Sequence, residues 1–160
     1  MTFAVFLLTS LAGTALHFLY DVLPTPLAAL FSPINESVWE HLKLLFWPML
    51  IGALFLSRKK EKKDRFWSSF FIALLATPAF LLLSFYGLKA LGFESIALDI
   101  TLYYISMLFG YSLALWLYTK RKPEKAGGIT LMLLILYVAS LILLTFAAPD
   151  LPIFREVKPN

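Results

Sequence analysis

The chain has 160 residues, of which 60% are hydrophobic, 16% aromatic and only 15% charged, where a soluble domain has roughly a quarter charged. Its net charge of +4 is concentrated in two short loops that flank apolar runs, which is a topology signal, so no nucleic acid is expected as a partner. The absence of cysteine excludes disulfides, thiolate metal sites and thiol redox chemistry.

Five runs approach the roughly 20 apolar residues that cross a bilayer. The expected fold class is therefore all-α, an integral membrane bundle of five transmembrane helices over 2–20, 33–57, 66–88, 95–119 and 127–147, forming one domain. The first run lacks a basic n-region and continues past any small-residue cleavage point, so it reads as a span and not as a signal peptide. Along it Ser10, Thr14, His17 and Asp21 recur at steps of four, three and four, one stripe of a helix, with Gly13 beside them. Small and polar residues on one face point to neighbouring helices and not to lipid.

A connector with Pro24 and Pro26 follows, and the apolar patch 27–31 is too short to span. The second run begins with Ser32 as a suitable N-cap and Pro33 at the first helical position, which predicts a helix from residue 33. On that helix Glu36, Glu40, Lys43 and Trp47 share a stripe, with Ser37 and His41 on the adjoining one and Asn35 at the start. Pro48 falls in mid-span and predicts a kink. Ionisable side chains at the mouth of a span are costly and have either a partner or a function.

The charge run Arg58-Lys59-Lys60-Glu61-Lys62-Lys63-Asp64-Arg65 precedes the third run, which carries Pro78 and reads as packing. In the fourth run Asp99, Tyr103, Ser106 and Gly110 share a stripe. A second basic loop, 120–125, leads to a nearly aliphatic fifth run. The tail Pro149-Asp150-Leu151-Pro152-Ile153-Phe154 keeps apolar residues and is expected to fold back over the bundle.

Placing both basic loops in the cytoplasm sets the N-terminus inside and the C-terminus outside, in a multi-pass protein of the cell membrane with membrane lipids as its surroundings. His17, Asp21, Asp99, the start of the second span and the tail then gather at the extracytoplasmic side. Three readings of that polarity stand together. His17, Asp21 and His41 are candidate ligands of a divalent metal such as zinc, with Glu36 or Glu40 as general base and Asn35, Ser37, Lys43, Asp99 and Tyr103 lining the pocket; this chemistry suits hydrolysis or group transfer on a lipid-like substrate. Alternatively, Glu40 pairs with Lys43 three residues on and the cluster only holds helices together, as in a structural or assembly protein. A third reading is a proton, ion or small-solute transporter, using the same side chains and the two prolines. Phosphate-binding G-x-x-x-x-G-K-[ST] and G-x-G-x-x-G runs and the hydrolase G-x-S-x-G run are absent.

The run Asn35-Glu36-Ser37-Val38-Trp39-Glu40-His41, with His17-Phe18-Leu19-Tyr20-Asp21 before it and Asp99 and the Pro149-to-Phe154 stretch after it, resembles a family of small prokaryotic multi-pass membrane proteins of unknown function. The resemblance covers most of the chain and implies a five-helix membrane bundle without implying an activity. After Phe154 the family pattern has an acidic D-P pair and a glycine-tyrosine-glycine stretch. Arg155-Glu156-Val157-Lys158-Pro159-Asn160 departs from it.

Overall fold

The computed structural model describes residues 2–121 and 123–156, so Lys122 of the second basic loop and the last four residues of the tail lie outside the described residues. The described chain is all-helical. Helix α1 (Thr2–Leu16) is followed by two single-turn helices, α2 (Leu19–Val22) and α3 (Pro26–Ala29). Four long helices follow: α4 (Val38–Ser57), α5 (Lys63–Ala90), α6 (Ile96–Lys120) and α7 (Gly127–Phe146), with 3₁₀ turns at Pro123–Ala126 and Pro152–Phe154. Taking α1 and α2 as one unit, five helices are long and apolar enough to cross a membrane.

Two boundaries differ from the sequence expectation. The first run breaks at His17 and Phe18, because the Ser32 hydroxyl docks there: it donates to the carbonyl of Leu16 (2.8 Å) and accepts from the Tyr20 amide (3.1 Å). The second helix starts at Val38 and not at residue 33. Ser37 is its N-cap, extended in backbone and accepting from the Glu40 amide through its hydroxyl. Ser37-x-x-Glu40 is a capping-box spacing, which Ser32 lacks, since Asn35 stands three residues after it. Residues 33–37 are consequently irregular. Asn35 closes a turn there by accepting from the Ser37 amide through Oδ1 (3.0 Å).

Helix α4 is the hub and packs against α1, α5, α6 and α7. Its Leu42, Leu45, Met49, Ala53 and Leu56 meet Ala73 and Leu74 of α5 and Met107, Tyr111 and Ala114 of α6, all buried. Outward-facing positions are also apolar: Leu83 is 77% exposed, Phe3 71% and Ile129 66%. A protein in water covers such a surface.

Helix α4 continues through Pro48. Proline has no N–H, so the Leu44 carbonyl loses its partner one turn back. Gly13 of α1 sits against that carbonyl: a Cβ there would lie 2.8 Å from the Leu44 oxygen and would overlap the Tyr103 hydroxyl of α6. That hydroxyl donates to the Ser10 carbonyl (2.9 Å), so three helices converge on a point that only glycine fits.

The tail folds back as expected. Phe154 packs on Trp39 with ring centroids 5.0 Å apart, and Glu156 forms an antiparallel bridge with Ser37. Between them, Arg155 donates to Asp150 (3.0 Å) and holds its carboxyl below the usual carboxylate range.

Gly13→Ala is expected to cost about 1–3 kcal/mol by overpacking. Tyr103→Phe, which removes the obstructing oxygen, should recover part of that loss in the double variant. Thermal unfolding of the four proteins of the cycle measures it, and strict additivity would show that the two positions do not meet.

Candidate functional site

Two short stretches carry the site: the α1–α2 break, bearing His17, and the start of α4, bearing Glu36 and His41. The break turns His17 toward α4, and the imidazole nitrogens meet with His17 Nε2 3.1 Å from His41 Nε2. Glu36 stands on the irregular loop just before the cap. Its Oε2 lies 3.4 Å from His41 Nε2 and 3.7 Å from His17 Nε2. These three residues form a group able to hold a metal ion.

Hydrogen bonding orients His41. Its Nδ1 lies 2.8 Å from the Ser37 carbonyl, which can only accept, so Nδ1 carries a proton and Nε2 is the nitrogen turned to the Glu36 carboxylate and the second imidazole. Two imidazole nitrogens and a carboxylate oxygen this close need a proton or a cation among them. The separations match a metal: two ligands about 2.0–2.1 Å from zinc at a tetrahedral angle stand about 3.3 Å apart. His41 also has the backbone partner on its other nitrogen that metal-bound histidines use. His17 Nδ1 is buried without a hydrogen-bond partner among the described residues.

The cluster lines a cavity of about 470 Å³ between α1, α4, α5 and α6. Its walls are mostly apolar, from Val38, Leu44, Leu81, Phe85 and Leu102, with Thr14, Asp99 and Tyr103 as further polar groups. Phe18, Ile96 and Ile100 line it too and are each more than half exposed, and Thr14, Glu36 and Asp99 on its lining are exposed as well, so the cavity has a side opening with an apolar and a polar part to its rim.

The remaining residues expected at the site lie elsewhere. Asp21 is exposed on α2, outside the metal-holding group, and Glu36 stands in its place. Glu40 is 3% exposed and turned away from the cavity. Its Oε2 accepts from Lys43 Nζ (2.6 Å) and the Ile34 amide (3.0 Å), and its Oε1 accepts from Thr145 of α7 (3.1 Å). Lys43, fully buried, donates in addition to the carbonyl of Ala29 (2.8 Å). This is the expected i, i+3 pair, and it leaves Glu36 and Asp99 as the carboxylates on the cavity. Asn35 and Ser37 serve the loop and the cap. Trp47, a residue with no assigned part in the sequence reading, donates through Nε1 to the Leu30 carbonyl (2.9 Å) and seats the connector.

The chain belongs to the family described as Family of unknown function (DUF6512), whose model matches residues 2–158. No curated protein and no solved structure matches it.

Removing one member of the buried pair leaves the other charge uncompensated. Lys43→Met should cost about 3–5 kcal/mol, and Thr145→Val only about 1 kcal/mol. Unfolding measurements on the purified variants check the ranking, and a Lys43→Met protein as stable as the parent would contradict it.

Proposed function

We propose that this member of the family is a multi-pass cell-membrane protein, N-terminus inside and C-terminus outside, whose His17, His41 and Glu36 bind one divalent metal, zinc by ligand type, for hydrolysis or group transfer on a lipid-like substrate. The observation that carries this reading is the convergence of two Nε2 atoms and one carboxylate oxygen, 3.1–3.7 Å apart, on the wall of a mostly apolar cavity with a side opening. Imidazole and carboxylate ligands suit zinc. Three protein ligands leave a fourth position for water or substrate, the arrangement of catalytic zinc sites. A bound ion there would polarise an oxygen of the substrate and lower the cost of ionising water.

Membrane residence is supported by the five apolar helices and their exposed leucines, isoleucines and phenylalanines. That the basic end lies at an interface is supported by Arg58 over Phe55, Lys60 over Tyr118 and Arg121 over Trp116, each at about 5 Å, and its inside orientation by the excess of lysine and arginine in the two loops there. A transport path is disfavoured. Beyond Pro48 the bundle axis is filled by Met49, Ala53, Met107 and Ala114, all with no exposure.

Elemental analysis of detergent-purified protein should find about one zinc per chain, lost in His17→Ala and His41→Ala and kept in Asp21→Ala. Because protons compete for the same lone pairs, occupancy should fall as pH is lowered. Wild-type protein without stoichiometric metal would overturn the proposal.

A further inference from the structure

The geometry points to the substrate class: a neutral, single-chain acyl ester or amide, its chain lying in the cavity and its carbonyl presented to His17, His41 and Glu36. This inference rests on the metal reading above and adds to it the identity of the ligand.

Size comes first. An apolar cavity of about 150 Å³ takes up one benzene, so by the same proportion a cavity of about 470 Å³ holds on the order of 20 heavy atoms. That is one medium acyl chain and not two. The apolar part of the rim, Phe18, Ile96 and Ile100, faces outward where a bilayer would lie, so a chain enters without crossing water.

Charge selects the head. Among the described residues no lysine or arginine lines the cavity. Lys43, the nearest cation along α4, is committed to Glu40 and to backbone carbonyls. The charge-bearing side chains that line the cavity are two imidazoles, Glu36 and Asp99, and Lys89, which acts on Asp99 from outside it, is paired with Glu94 (3.7 Å). A divalent ion there is balanced by two carboxylates, so an anionic headgroup would leave uncompensated negative charge in the site and is disfavoured.

Asp99 then has a part in the reaction. It stands in the first turn of α6, lines the cavity with His41, and its carboxylate has no hydrogen-bond partner among the described residues. In hydrolysis, the oxygen of a water bonds to the acyl carbon while the Asp99 carboxylate takes the proton. Collapse of the tetrahedral adduct breaks the carbon–oxygen or carbon–nitrogen bond, and the leaving alkoxide or amide nitrogen takes the bond pair and that proton from Asp99. The products are a carboxylic acid and an alcohol or amine, and water is the only co-reactant.

Native mass spectrometry of the detergent-released full chain, with monododecanoyl glycerol, dodecyl phosphate or didodecanoyl glycerol added, tests this. The expected result is zinc plus a single monododecanoyl glycerol, with dodecyl phosphate bound at least about tenfold more weakly and no two-chain adduct. Ile100→Trp and Ile96→Trp, both at exposed rim positions, should lose the lipid and keep zinc, whereas Asp99→Asn should keep both and stop release of dodecanoic acid. Equal or tighter binding of dodecyl phosphate, or a lipid adduct that survives both tryptophan variants, would overturn the inference. Zinc without any lipid adduct overturns this inference alone. A lipid adduct without zinc overturns the metal reading and, with it, the hydrolytic step.

Discussion

The Lys43 ammonium, buried without access to solvent, is the constraint on which the site depends. A charge in such surroundings persists only if its donors are met, and here they are met by Glu40 and by carbonyls of the connector that precedes α4. Glu40 in turn takes the Ile34 amide and the Thr145 hydroxyl. The pair therefore does more than cancel charge. It pins an irregular stretch of backbone whose polar groups would otherwise lie unpaired against apolar helices. From that stretch Glu36 projects, and from the cap that ends it His41 rises.

Ser32 supplies the complementary attachment. By bonding the Leu16 carbonyl and the Tyr20 amide, it fastens the same connector to the break in the first helix. His17 and His41, 24 residues apart in sequence, meet because one loop is tied to both of their supports. The close approach of α1 to α4 then comes from Gly13 against the carbonyl that Pro48 leaves free. Proline in one helix and glycine in the next form one packing device.

The helical class and five apolar helices were legible because apolar run length alone defines them. So was the pairing of Glu40 with Lys43, a matter of i, i+3 spacing. The parts of the site that were not legible turned on two helix ends. Treating the first run as unbroken to residue 20 put Asp21 on the His17 stripe, whereas the break at 17 and 18 leaves Asp21 outside the cluster. Treating the second helix as starting at residue 33 put Glu36 and Glu40 on one face. Only with the start moved to Val38 do the two separate, Glu36 to the histidines and Glu40 to the interior. The Ser37-x-x-Glu40 capping box carried the second correction in the sequence itself. Nothing local signals the first, which depends on a hydroxyl 12 or more residues away.

The bridge between Ser37 and Glu156 ties the start of α4 to the tail end of the described chain, and Thr145, which completes the shell of Glu40, belongs to the final helix. A protein made from its N-terminus has its histidines early and their supports late. The supports of the pocket are thus made after its ligands, and a chain truncated before Thr145 that already contains His17, Glu36 and His41 lacks part of the frame that holds them.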